Sequence, residues 1–481
     1  MRVLMASSEV HPYSKTGGLG DMVAGLAKTL AKKGHNVGIV TPLYRGIREK
    51  HSDVRRADWH MSVQLGKRRV SGELWVQEPM PGLTLYFVGQ PEFFNRQGIY
   101  SEGGSDYGDN AERFIFFSKA VVHLARYLPW QPEVIHVHDW QVGMVPLLLR
   151  QEQHASGWRS PPPVMLTIHN LAYQGTFAAN AFQLTNIPWQ QFNIRTAEFY
   201  GAMDCLKAGI AASDVITTVS PRYAREITTE EFGCGLDGLL RERIKVLHGV
   251  LNGVDYEEWN PAADVHLPVR YTATTLEAKE LVKRELLKEI GLPVKARVPL
   301  FGTITRLAEQ KGLDLLVPAL DEMLAHNEMQ FVVLGSGEQR YERALHHLEK
   351  KHPGKVGVRI GYNHALSHRI EAACDFYLMP SRFEPCGLNQ LYSLRYGTIP
   401  VVRAVGGLDD SVIDAQENTQ DATGIKFSEY SPAALAHAIR KALALYAAPQ
   451  AFHQFRVNAM AADFSWDQTA NRYLDLYQPK R

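Results

Sequence analysis

Short apolar runs alternate with amphipathic stretches of helical period along most of the chain. In the first half, the runs suited to strands are Arg2–Ala6, Asn36–Thr41, Leu83–Val88, Val134–His138, Val164–His169, Val215–Val219 and Val246–Val250. Helical periodicity fills the intervals, notably at Asp21–Lys33, Ala111–Tyr127 and Gln141–Gln151. The second half repeats the theme, with strands expected at Leu300–Thr305, Gln330–Leu334, Val356–Ile360, Phe376–Met379 and Ile399–Val402. Helices are expected at Asp314–His326, Gln339–Lys350, Ser367–Ala373 and Leu388–Tyr396. Strands alternating with helices predict βαβ units and parallel sheets, an α/β fold. The stretch from Asn260 to Arg297 reads as a linker around a charged helical segment, Leu276–Ile290. The chain is therefore expected to form two doubly wound domains, 1–252 and 253–462. A terminal helix within 463–481 is expected to return to the first. Ligands of such sheets bind outside the carboxyl ends of the strands, so a cleft between the domains is the expected site.

Composition narrows the class. The chain has 481 residues, with 45% hydrophobic and 21% charged, ordinary values for a soluble enzyme. Lys and Arg number 52 against 51 Asp and Glu, a net charge of +1. Nucleic-acid binding normally needs a basic excess, so no nucleic-acid partner is expected. No apolar run reaches the length of a membrane span, and no membrane partner is expected. The four cysteines, Cys205, Cys234, Cys374 and Cys386, form no C-x-x-C pair, which argues against zinc ribbons and thioredoxin-like sites. They fit a reducing compartment. The N-terminus turns polar at Ser7-Ser8-Glu9, too early for a signal-peptide core. A cytoplasmic location is expected.

The candidate chemistry lies where strands end. Lys15-Thr16-Gly17-Gly18-Leu19-Gly20-Asp21 joins the first strand to a helix. Its glycines expose backbone N–H groups at a helix N-terminus, which suits an anion. The simpler reading is a glycine turn with Asp21 as helix N-cap. The spacing is not G-x-G-x-x-G, which argues against a dinucleotide. Arg306-Leu307-Ala308-Glu309-Gln310-Lys311-Gly312 follows the first strand of the second half. There Arg306 can grip a phosphate bidentately and Lys311 adds a point charge. Ser381-Arg382-Phe383-Glu384-Pro385-Cys386-Gly387-Leu388 follows another strand and leads into a helix. His136-Val137-His138-Asp139-Trp140 and Thr167-Ile168-His169-Asn170 are polar strand ends. His136 and His138 share a strand face, but no third ligand accompanies them, so structural histidines are expected. Asn252-Gly253-Val254-Asp255 reads most simply as a turn. No Asp-x-Asp pair is present to hold a metal on a nucleotide diphosphate. No metal or other cofactor is expected, and the charge of such a ligand would fall to Lys15, Arg306, Lys311 and helix N-termini.

In this order and spacing, the motifs resemble those of bacterial glycogen synthases and, more broadly, plant starch synthases. The resemblance runs from Val3 to the C-terminus. It also includes Ser8-Glu9, His169 to Gly175, Leu206-Lys207-Ala208-Gly209, Thr218-Val219-Ser220-Pro221, Gly361-Tyr362, Gly406 to Asp410 and Phe464-Ser465-Trp466. It implies a GT-B glycosyltransferase with two Rossmann-like domains. It further implies transfer of glucose from ADP-glucose to the non-reducing end of an α-1,4-glucan, with retention at the anomeric carbon. The partners implied are a nucleotide sugar and a glycogen-like polymer. By the same resemblance Lys15 and Gly18 face the nucleotide diphosphate, and Arg306 and Lys311 stabilise its departure. Asp139, His169, Asn252 and Glu384 surround the transferred glucose. Cys386, Gly387 and Leu388 present backbone groups, Tyr362 lies near the adenine, and Tyr100 is expected to contact the acceptor.

Two readings of retention follow: a front-face return, in which the leaving phosphate takes the acceptor proton, and a double displacement through a covalent intermediate. The first is favoured, with His169 orienting the sugar or stabilising positive charge. Two positions depart from the wider retaining pattern. Tyr392 stands where a second Glu is frequent, and Asn389 where a Thr is familiar, so no side-chain role is carried to Asn389. The rival readings are a synthase using UDP-glucose or both donors, and a glucan-binding or regulatory protein that has lost turnover.

Overall fold

The structure, a computed structural model, describes residues 1–156, 158 and 160–478. The expected end of the terminal segment, Pro479 to Arg481, lies outside the described residues. The chain divides into two compact units. One comprises Met1–Val219, Ala224–Gly253 and the residues from Trp466 onward; the other comprises Ser220–Tyr223 and Val254–Ser465. Three short stretches therefore depart from the expected partition. Gly253 groups with the first unit. Ser220–Tyr223 groups with the second unit, and so do the three residues before Trp466.

The first unit is built on a nine-stranded sheet. Its order is Leu247–Gly249, Val215–Thr218, Val164–Ile168, Val134–His138, Arg2–Ala6, Asn36–Pro42, Leu83–Gly89, Arg68–Met80 and Arg55–Leu65. The first seven pair in parallel. Val134–His138 and Val164–Ile168 are buried along their whole length, as strands covered on both faces must be. The last two strands form an antiparallel hairpin that the apolar pattern does not announce. Burial alternates along Met61–Leu65, so that part of the hairpin is wet on one face, and charged residues at Arg55, Arg56, Arg68 and Arg69 mask the rhythm. A small antiparallel sheet of Thr176–Ala178, Ala202–Asp204 and Glu198–Phe199 is likewise unannounced. Helix Trp466–Tyr477 packs on helix Gly18–Lys32 within this unit. Trp466 lies so close to Gly25 that a Cβ there would come within 2.2 Å of the indole.

The second unit holds a six-stranded parallel sheet: Val356–Ile360, Gln330–Gly335, Leu300–Ile304, Phe376–Met379, Ile399–Arg403 and Ile425–Phe427. The expected linker over 260–297 is part of its core. Tyr271, Leu276, Val282, Leu286, Leu287 and Ile290 pack against Val332, Ile370 and Tyr396. The charged helix Lys279–Glu289 reads as solvated because two of its buried positions are lysines. Lys283 Nζ bonds the Asp375 carboxylate at 2.7 Å, and Arg456 reaches the other oxygen at 2.6 Å. Lys279 Nζ instead meets the Ala372 carbonyl and the Thr398 hydroxyl, and burial pulls its pKa down to about 7.

Asp375 also accepts the Leu300 N–H at 2.9 Å. Burial alone would raise its pKa, but Lys283 and Arg456 outweigh this and hold the carboxyl below the usual range. A carboxylate depressed in the folded state stabilises above its unfolded pKa of about 3.9, and that contribution fades as pH falls through the lower folded value. Asp375→Ala leaves two buried cations uncompensated and is expected to cost about 3–5 kcal/mol. Urea unfolding at pH 7 and pH 3 checks both statements, since the wild-type advantage over the variant should shrink at the lower pH.

Candidate active site

Parallel pairing brings several carboxyl strand ends to one edge of each sheet. In the first unit the strand Arg2–Ala6 runs into the glycine loop, and Glu9 organises that loop. Its carboxylate accepts the Thr16 N–H and hydroxyl at 2.5 and 2.6 Å and the Gly17 N–H at 3.3 Å. Helix Gly18–Lys32 then begins with Gly17 as its cap residue. Asp21 is not the cap; it stands in the first turn and pairs with Lys15 at 2.6 Å. Gly17 and Gly18 remain exposed at the helix N-terminus. Tyr100, the expected acceptor contact, is turned inward. Its hydroxyl meets Glu9 and Ser8, each at 2.7 Å, and its ring packs on Phe114 and Trp140. It holds Glu9 in place. Glu9 is the residue that sequence reasoning passes over as a functional group. The available signal is an acid in the loop between the strand ending at Ala6 and Thr16-Gly17-Gly18.

The neighbouring strand ends carry Asp139 and His169. Asp139 has a positive φ of 61°, uncommon outside glycine. The turn sends its Oδ1 to the His169 N–H at 2.7 Å. Burial pushes the Asp139 carboxyl up to about 7, against the opposing pull of the His169 and Asn170 N–H groups. His169 Nε2 lies 3.1 Å from His138 Nδ1. Burial pulls the His169 pKa down to about 3, so its ring is neutral at pH 7. His136 is spent on the Tyr477 hydroxyl at 2.8 Å and the Thr167 hydroxyl at 2.6 Å. That is a core hydrogen-bond chain rather than half a metal site. Asn252 is more than a turn residue. It is buried, and its Oδ1 has no hydrogen-bond partner. Its backbone is pinned on both sides, by Thr469 bonding the Leu251 carbonyl and by Trp466 against Gly253.

In the second unit two strand-end loops are laced together. Lys311 Nζ bonds Glu384 Oε2 at 2.6 Å, and the Ser381 hydroxyl bonds the same oxygen at 3.0 Å. Gln310 donates to the Phe383 carbonyl, and the Arg382 N–H donates to the Gln310 carbonyl. Gly312 has a φ of +73°, and a Cβ there would stand 2.0 Å from the Pro380 carbonyl. Arg306 is exposed, with one guanidinium nitrogen 3.0 Å from Gln310 Oε1. Behind Glu384, the Gly407 N–H donates to the Glu384 carbonyl at 3.1 Å. Cys386 is buried, and Gly387 takes a positive φ of 72° before Leu388. The helix that follows, Asn389–Arg395, has only seven residues. Asn389 does have a role, though an internal one. Its amide donates to the Ile304 carbonyl and the Tyr377 hydroxyl, at 3.1 and 2.5 Å. Tyr392 lies flat on Trp259, with ring centroids 3.9 Å apart. Tyr362 leaves its ring 77% exposed.

Known proteins resemble this chain along nearly its whole length. Residues 2–242 match the family model described as starch synthase catalytic domain, and residues 285–458 match glycosyl transferases group 1. A glycogen synthase of Anaeromyxobacter sp. is 47% identical over 479 residues, covering 99% of each chain. One from Thioalkalivibrio sulfidiphilus is 44% identical over 488 residues, again covering 99% of each. Among solved structures, the catalytic domain of starch synthase IV from Arabidopsis thaliana, bound to ADP and acarbose, has a TM-score of 0.89 and 34% identity. It covers 99% of this chain and 98% of that one. A sucrose-phosphate synthase from Thermosynechococcus elongatus, 18% identical with a TM-score of 0.60, shares the fold. No helix among the described residues is long and apolar enough to cross a membrane. With two α/β units and matches of this extent, the chain belongs to the GT-B glycogen synthase family of glycosyltransferases.

Proposed function

We propose that the chain transfers glucose from ADP-glucose to the non-reducing end of an α-1,4-glucan, with retention, in the cytoplasm. The observation that carries this reading is the Lys311–Glu384 pair, with Arg306 exposed on the same loop. It sets a buried carboxylate beside cations at the strand ends where a donor is expected. In this reading Arg306 and Lys311 stabilise the diphosphate as its charge grows. Lys15 and Gly18 bind the same nucleotide, and Cys386, Gly387 and Leu388 offer backbone groups. The ADP in the starch synthase IV structure supports adenine as the base, and the open face of Tyr362 is suited to stack on it.

Asp139, His169, Asn252 and Glu384 surround the glucose. The unpartnered Asn252 Oδ1 is an acceptor for a sugar hydroxyl. A neutral His169 adds no positive charge against an oxocarbenium-like centre, which supports the front-face route. There the C1–O bond to phosphate breaks, the acceptor oxygen bonds C1 from the same side, and its proton passes to the departing phosphate. His169 orients the sugar and carries no charge.

Initial rates of glucose incorporation into glycogen, run in EDTA, are expected to favour ADP-glucose over UDP-glucose by at least about tenfold in kcat/KM, a margin of about 1.4 kcal/mol. Equal rates with both donors would overturn the donor assignment. Lys311→Ala is expected to lower kcat by about 10²–10³. Glu384→Gln is expected to lower kcat while yielding no trapped glucosyl-enzyme; an adduct on Glu384 or Asp139 would sink the front-face route. His169 should not titrate between pH 8 and pH 5 in imidazole NMR spectra. Since unfolded histidine protonates near 6.5 while His169 stays neutral to about 3, its contribution to stability should decline as pH falls below about 6.5.

A further inference from the structure

Next to Tyr362, and apart from Arg306, Lys311 and Glu384, the second unit gathers three imidazoles. His266, His364 and His368 each offer a ring nitrogen within 4.8 Å of the others. His364 and His368 are one turn apart on helix His364–Ala373, the spacing that puts two side chains on one helix face. His266 arrives from the loop that follows Trp259.

The cluster is held as metal ligands are held. Asp264 Oδ2 accepts His368 Nδ1 at 2.8 Å and the Tyr396 hydroxyl at 2.6 Å. Its Oδ1 accepts the backbone N–H of His266 at 2.8 Å, which places the loop that carries that ring. With Nδ1 as the donor to Asp264, His368 Nε2 carries the lone pair. That nitrogen is buried and has no hydrogen-bond partner. Trp259 stacks on the His368 ring at 3.8 Å and fixes its plane. A carboxylate on the far nitrogen of an imidazole sets its tautomer and raises its basicity as a ligand. Around the site, Glu258 lies 3.3 Å from His364 Nε2 and the Tyr362 hydroxyl 3.2 Å from His364 Nδ1.

We propose that His266, His364 and His368 form a binding site for a divalent transition metal ion, Zn²⁺, with Asp264 as the positioning carboxylate. Three neutral imidazoles with a fourth position for water match the donor set and geometry of zinc. Zn–N bonds of about 2.0–2.1 Å place ligand nitrogens about 3.3 Å apart. The closing movement therefore falls on the half-exposed His266 and His364, because His368 is fixed. The bound ion joins the loop of Glu258 to His266 onto helix His364–Ala373, two positions from Tyr362. It takes no part in the glucosyl transfer proposed above.

The test uses the untagged full-length chain, stripped with chelator and dialysed, and titrated calorimetrically with Zn²⁺ alone. One equivalent is expected to bind with a Kd of about 1 µM or tighter. Asp264→Asn should weaken binding by about tenfold or more, as removal of an outer-shell partner does. His266→Ala and His364→Ala should abolish the equivalent while leaving Tm in chelator unchanged, and the Zn²⁺-induced rise in Tm should vanish with them. Co²⁺ in the wild-type chain should give the intense visible bands of a four-coordinate ion, a readout that needs no variant. No binding at about a hundred times that Kd, an equivalent retained by both His variants, or a weak six-coordinate Co²⁺ spectrum would each overturn the proposal.

Discussion

One buried carboxylate holds the second unit in register. Asp375 stands just ahead of strand Phe376–Met379, and its carboxylate takes three hydrogen bonds from three directions. Lys283 comes from the helix before the sheet, Arg456 from a helix after it, and the Leu300 N–H from the adjacent strand. Its Coulomb partners are desolvated with it, so the arrangement tolerates no missing member. The loop at the far end of that strand carries Ser381 to Leu388, and the loop after Leu300–Ile304 carries Arg306 to Lys311. The same residue that pins the two strands at their start thereby sets where their functional ends come out.

The first unit solves a different problem, the burial of several histidines without charge. His136, His138 and His169 sit near one another, and burial keeps all three neutral. The ring of His136 is bonded at both nitrogens, while His138 reaches His169 and leaves its Nε2 without a partner. Asp139 beside them is the opposite case, a carboxyl whose burial raises its pKa. The edge of this unit proposed to face the sugar thus carries buried polar groups, with its histidines neutral. The cations proposed for the diphosphate are Arg306 and Lys311 in the other unit, with Lys15 tied to Asp21.

Much of this was legible in the chain. The central strands of both sheets are buried on two faces, so they appear as unbroken apolar runs, and Val134–His138 and Phe376–Met379 fall where the runs fall; the edge strand Val356–Ile360 also falls on its run, though its last residue is exposed. The Arg55–Met80 hairpin was not legible, because arginines interrupt an alternation that only one wet face produces. The linker reading of 260–297 failed for a related reason: Lys279 and Lys283 count as solvent-facing in any pattern, yet each is buried against a partner distant in sequence. Side-chain direction was the other blind spot. Nothing in the sequence says that Tyr100 points at Glu9, or that Asp21 yields the cap position to Gly17. Helix His364–Ala373 begins a turn earlier than its apolar residues suggest, capped by Asn363, and that extra turn carries His364.

The loops behind Glu384 have no slack. A Cβ on Gly406 would lie 1.9 Å from the Glu384 carbonyl, one on Gly407 2.0 Å from the Cys386 carbonyl, and one on Gly312 2.0 Å from the Pro380 carbonyl. Backbone rests directly on backbone, so no larger residue fits without moving the carboxylate. For divergence among descendants of such a chain, this confines change. These loops are closed to gradual substitution, and change is acquired instead at exposed positions such as Tyr362, where a side chain can be exchanged without disturbing backbone behind it.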